Sequence, residues 1–162
     1  MIGLYRTCIV AYLAALAWAW WRLPEQIPVR FDDDGEPTQW RSLAFVVTVF
    51  VVIGLLAVAA VEVLLRKLPA RADRLGLPHH GYWTRAENLP GFRSKVRDDV
   101  AFVGAAMLLL LVALVHQGVR AVEATRVTLG SGGTIAVLAF AMAVLIRLTW
   151  MFTSRYRPPR RS

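Results

Sequence analysis

Four apolar runs, residues 2–23, 43–65, 100–119 and 134–153, dominate this chain and decide what it can fold into. A hydrocarbon core about 30 Å thick takes roughly 20 helical residues to cross, because lipid offers no partner to an unsatisfied backbone amide. Each run reaches that length. Together they account for a hydrophobic content of 57% and a mean hydropathy of +0.49, values a soluble domain this short rarely tolerates. The expected fold class is therefore an all-α membrane protein, a four-transmembrane-helix bundle with a Pro-rich external loop, forming a single domain over residues 1–162. Its connections are an external loop 24–42, a cytoplasmic loop 66–99, an external loop 120–133 and a cytoplasmic tail 154–162.

The first run has the outline of a secretory signal, with Arg6 ahead of apolar sequence and Ala15-Leu16-Ala17 as a passable cleavage site. The sequence starts at Met1, and Trp18, Trp20 and Trp21 resemble an interfacial anchor beyond the apolar stretch, so the segment is expected to stay as a span. The single cysteine, Cys8, lies inside it and permits no intramolecular disulfide.

A net charge of +8 raises the question of nucleic acid, but the charge is placed for a membrane. Arg66, Lys67, Arg71, Arg74, Arg85, Arg93, Lys95 and Arg97 fall between the second and third runs, and Arg155, Arg157, Arg160 and Arg161 follow the fourth. The other connections hold only Arg22, Arg30 and Arg41, then Arg120 and Arg126. The positive-inside rule places both termini and the middle loop in the cytoplasm, where the basic segments attract anionic lipid headgroups. The expected partners are the bilayer and a protein in the membrane or a secreted peptide, with no nucleic acid.

The first external loop carries Pro24, Pro28 and Pro37, which block a regular helix, and an Asp34-Gly35 pair that favours a tight turn. Pro28, Phe31 and Trp40 give it apolar material to lay against helix ends, so an ordered cap is expected. Its acidic cluster, Asp32, Asp33, Asp34 and Glu36, suggests calcium, but the spacing fails. With Gly35 as the loop glycine, the first and twelfth ligand positions fall on Arg30 and Arg41.

In the middle loop, Leu77-Pro78 and Tyr82-Trp83 form an apolar, turn-rich patch. Thr84-Arg85-Ala86-Glu87 then has capping-box spacing and suggests the start of a short interfacial helix. His79 and His80 are adjacent and lack a nearby cysteine to complete a zinc set. From Pro90 an amphipathic helix runs into the third span, with Arg93, Lys95, Arg97, Asp98 and Asp99 at headgroup level.

Ionisable groups inside a span cost about 2.5–3.5 kcal/mol at mid-membrane on insertion scales, so Glu62 and Arg147 are singled out. Either they pair across the second and fourth helices, or each snorkels to the headgroups, Glu62 beside Arg66. His116 and Gln117 near the outer end of the third span suit interfacial hydrogen bonds or a proton contact. Ala11, Ala15 and Ala19, and Ala101 with Ala105, form small-residue stripes that permit close helix approach. No zinc-protease motif, phosphate loop, nucleotide fingerprint or nucleophile elbow occurs. The expectation is no catalytic residue, no metal, no cofactor and no enzymatic activity.

Leu23-Pro24, Ile27-Pro28, Phe31, Gly35 and Pro37 resemble the Leu-Pro-x-x-Ile-Pro-x-His-Phe pattern of a bacterial membrane domain of unknown function that also opens SdpI-type immunity proteins. Leu77-Pro78, Tyr82-Trp83 and Glu87 resemble a second block of that family, and the likeness runs from about Leu23 to His116. Arg30 stands where the family commonly has histidine. The resemblance implies a bacterial inner-membrane protein and an immunity or signalling role, protection from a secreted toxic peptide with sequestration of a repressor at the membrane. The alternative is an accessory subunit of a larger membrane complex.

Overall fold

The computed structural model describes residues 1–32, 37–71, 74, 79–123 and 132–158. Helix α1, Ile2–Arg22, is followed by strands β1, Gln26–Phe31, and β2, Pro37–Ser42, which pair antiparallel. Helix α2, Leu43–Ala70, the one-turn α3, His80–Trp83, and the long α4, Leu89–Glu123, come next. The last helix, α5, Gly132–Trp150, widens into a π-helical turn over Met151–Arg155. Four of these helices are long and apolar enough to cross a bilayer, the arrangement of a multi-pass membrane protein.

Burial follows helical periodicity. In α1 the buried residues are Tyr5, Cys8, Tyr12, Leu16 and Ala19, one face at three- and four-residue steps. That face lies on α4, where Ala101, Gly104, Ala105, Leu108 and Val115 are buried. Small residues set how closely the helices approach. A Cβ on Gly104 would come within 2.8 Å of Val61 Cγ1 and 3.0 Å of Tyr5, so only glycine admits both neighbours. At Gly54 of α2 a Cβ would meet the Tyr12 ring at once, and the Tyr12 hydroxyl donates to the Phe50 carbonyl at 2.6 Å.

Helix α4 is the hub, contacting α1, α2 and α5. Helix α5 packs on α4 alone among the spans in any substantial way, and its membrane window contains no buried residue. The core is thus a three-helix unit with α5 on its flank.

The proline-rich connection is ordered as expected, but as extended strands. Pro28 pairs with Trp40 and Arg30 with Gln39, so Val29 is an extra residue that bulges β1. Proline is tolerated here because a two-stranded ribbon leaves outer edges that need no amide donor. The Ser42 side chain caps α2 by accepting from Phe45 N at 3.3 Å. The acidic turn Asp33–Glu36, including Gly35, lies outside the described residues.

Thr84 departs from its expected role as a helix start. The short helix precedes it, and the Thr84 hydroxyl donates to the His80 carbonyl at 3.0 Å, closing α3 at its C-terminal end. Helix α4 begins at Leu89 with Pro90 in its first turn, where a missing amide proton costs nothing.

Candidate functional site

Two polar or semi-polar regions stand at opposite ends of the spans. At one end the hairpin folds over the C-terminal end of α1, the start of α2 and the end of α4. Leu23 closes α1, its amide donating to Ala19 O at 3.0 Å, and the chain turns extended at Pro24. Leu43 N then donates to Glu25 O at 2.8 Å and ties the ribbon to α2. Ile27 is only 5% exposed, and with Pro28, Val47, Phe50 and Val119 it lines an apolar cavity of about 260 Å³. Trp40 is 51% exposed and does not line this cavity, so its apolar cap is made by Ile27 and Pro28. Arg30 and Pro37 lie along the ribbon, opposite Gln39 and Phe31 respectively.

The same end is fastened by two contacts between α1 and α4. Arg22 Nε lies 2.5 Å from Glu123 Oε1, and the Trp18 ring stacks on His116 with centroids 5.5 Å apart. His116 therefore serves packing between the two helices.

At the other end, Asp99 of α4 is 5% exposed and gathers three donors. Arg147 reaches Oδ1 through Nη2 at 2.5 Å and Nε at 3.0 Å. Arg155 places Nε 2.9 Å from Oδ1 and 3.2 Å from Oδ2, and the Tyr156 hydroxyl donates to Oδ2 at 2.7 Å. Burial pushes the Tyr156 phenol well above the ordinary tyrosine value, and the hydrogen bond to the Asp99 carboxylate pushes it further.

Of the two alternatives for Glu62 and Arg147, the pairing across the second and fourth helices is not the one found. Arg147 is bound to Asp99, while Glu62 is half-buried on α2 and has no ion pair among the described residues. The reason is helix order. α5 sits on α4 and has no substantial contact with α2, so the nearest carboxylate to Arg147 is on α4. The sequence did carry a signal, since Phe92, Val96 and Asp99 fall at i, i+4 and i+7 and share a buried face. A carboxylate on a core-facing stripe calls for a cation or hydrogen-bond donors beside it.

Around this pair the loop motif acquires a role. Trp83 is buried and donates from Nε1 to Tyr156 O at 2.8 Å. Lys95 donates to Arg155 O at 2.6 Å while its ammonium lies 4.3 Å from the Trp83 ring centroid. Two carbonyls left open at the end of the final helix are thus satisfied by side chains from α3 and α4. Phe92 and Tyr156 complete the aromatic cluster, and half-buried Tyr82 packs against it. Leu77 and Pro78 lie outside the described residues.

A cavity of about 380 Å³ opens from this cluster between α2 and α5, with Asp99, Arg147 and Tyr156 at its polar end. The described residues thus define a helical membrane protein with a hairpin-covered apolar pocket at one end and a buried ionic cluster at the other. Residues 7–55 match the domain of unknown function DUF1648. The match spans α1, the hairpin and the first half of α2, under a third of the chain, and leaves out the Tyr82-Trp83 segment. No curated protein and no solved structure matches the chain.

Proposed function

We propose that this is a non-enzymatic membrane recognition protein, oriented with the hairpin outside a bacterial inner membrane and both termini in the cytoplasm. In an SdpI-like immunity or signalling role, the hairpin would receive a secreted peptide. The observation that carries the reading is the ribbon itself, a two-stranded sheet whose outer edges pair with no further strand among the described residues, standing over an apolar pocket. A free edge offers main-chain hydrogen bonds to an added strand, and the pocket accepts an apolar side chain from it. The hairpin falls within the matched segment, which supports its being the common element of the domain. The Lys and Arg surplus around the Asp99 end supports that end as the cytoplasmic one.

The test is loss of protection. Deleting the gene should sensitise the cell to peptides secreted by neighbouring strains, and the wild-type gene should restore resistance. A Val47→Trp variant that fills the pocket should not restore it, although it accumulates normally in the membrane. Unchanged sensitivity in the deletion strain would remove the immunity reading.

A second reading, an accessory subunit, is favoured by α5. Ile135, Leu138, Met142, Leu145 and Ile146 are 53–62% exposed along a span with no buried residue. Recovery in stoichiometric complex with a larger membrane protein after gentle extraction would select this reading.

A further inference from the structure

We infer that the crevice between α2 and α5 is a binding site for an anionic phospholipid of the surrounding bilayer, with an acyl chain along the crevice and its phosphate at Arg147 and Arg155. The walls are apolar. Val61 and Leu64 come from α2, Val100 and Val103 from α4, and Val144 and Leu148 from α5. The groove between these walls holds about 380 Å³, and no side chain of the described residues fills it.

The crevice opens sideways. Helices α2 and α5 flank α4 without substantial contact, and Leu64, Leu148 and Val103 at its rim are 41%, 42% and 37% exposed. In a bilayer that opening faces hydrocarbon, so the molecules that reach it are lipid tails. Along α4 the wall from Asp99 to Val103 is about 6 Å long at the helical rise per residue, enough to align the first part of a chain.

The polar end selects the headgroup. Lys95, Arg147 and Arg155 stand against the two carboxylates of Asp98 and Asp99, leaving a positive surplus. Arg147 lines the crevice and uses Nε and Nη2 on one oxygen of Asp99, while its Nη1 makes no bond among the described residues. Trp150 fixes the depth. The residue is 42% exposed, and its ring centroid lies 4.8 Å from the Arg147 guanidinium carbon and 5.0 Å from that of Arg155. Tryptophan and arginine together at the end of a span mark the level where headgroup phosphates sit.

The experiment measures lipid binding to the purified full chain by native mass spectrometry and by thermal shift. Phosphatidylglycerol and phosphatidylcholine of the same acyl length are compared, with inorganic phosphate as a separate arm. Phosphatidylglycerol should bind about tenfold more tightly, the scale of one to two basic residues acting on an anionic headgroup. Val144→Trp, which fills the crevice from the α5 side, should abolish that preference without lowering the melting temperature in lipid-free detergent. Arg155→Lys should retain most of the preference and Arg155→Gln should lose it. Equal binding of the two lipids, an undiminished preference in Val144→Trp, or an equal shift from inorganic phosphate alone would overturn the inference. So would a crevice closed by a second copy, seen as a dimer that added lipid does not alter.

Discussion

Replacing Asp99 by asparagine tests the ionic cluster most directly, because it removes charge while keeping shape and a side-chain oxygen. In the folded protein that carboxylate holds Arg147 and Arg155, whose side chains are 13% and 15% exposed, and accepts from Tyr156. Without that negative charge two largely desolvated guanidiniums face each other, with only Asp98, 3.7 Å from Arg155, to offset them. Breaking a buried pair in this way costs about 3–5 kcal/mol, and water at the headgroup level places this case near the lower end. Tyr156→Phe removes a single hydrogen bond to a charged acceptor and should cost about 1.5–3 kcal/mol. The assay is reversible unfolding in mixed micelles followed by tryptophan fluorescence, with Trp83 reporting on the cluster.

A double-mutant cycle supplies the sharper reading. Asp99→Asn with Arg147→Gln should show a coupling of about 1–3 kcal/mol, whereas Glu62→Gln with Arg147→Gln should add within about 0.5 kcal/mol. A loss below about 1 kcal/mol for Asp99→Asn, or a larger coupling for Glu62, would refute the reasoning.

Three further outcomes follow from the packing. Gly54→Ala should destabilise by about 1–3 kcal/mol in the same unfolding assay, since the new methyl overlaps the Tyr12 ring, and Tyr12→Ala in the same chain should relieve most of that loss. In a Cys8→Ser background, a cysteine at Val29 should react with an impermeant maleimide from the opposite membrane face to one at His80; labelling of both from one side would break the topology. Stability should be full at neutral pH and decline above about pH 10, as the unfolded chain but not the buried Tyr156 phenol ionises. Tyr156→Phe should flatten that alkaline decline, and an unchanged profile would exclude Tyr156 as its source.

Much of this protein was legible one segment at a time. Whether a run of residues crosses a bilayer depends on its own transfer free energy and on backbone groups it satisfies internally, so four spans could be read without knowing their neighbours. The prolines likewise excluded helix from residues 24–42, and the buried face of α1 is visible in its spacing. What the sequence left open was every choice between partners. Arg147 has carboxylates available on two helices, and only the seating of α5 on α4 rather than α2 selects Asp99 over Glu62.

The tertiary structure alone also decided what Trp83, Lys95 and Tyr156 do. In the sequence Trp83 belonged to a loop motif, Lys95 stood at headgroup level and Tyr156 carried no signal; the three form one cluster because the π turn at the end of α5 brings its open carbonyls against α3 and α4. The hairpin pocket and the α2–α5 crevice have the same origin, since both are gaps between elements and belong to no single segment. Local solvation fixes which segments enter the membrane, while the rotation and order of the helices inside it are set by contacts between residues far apart in the chain.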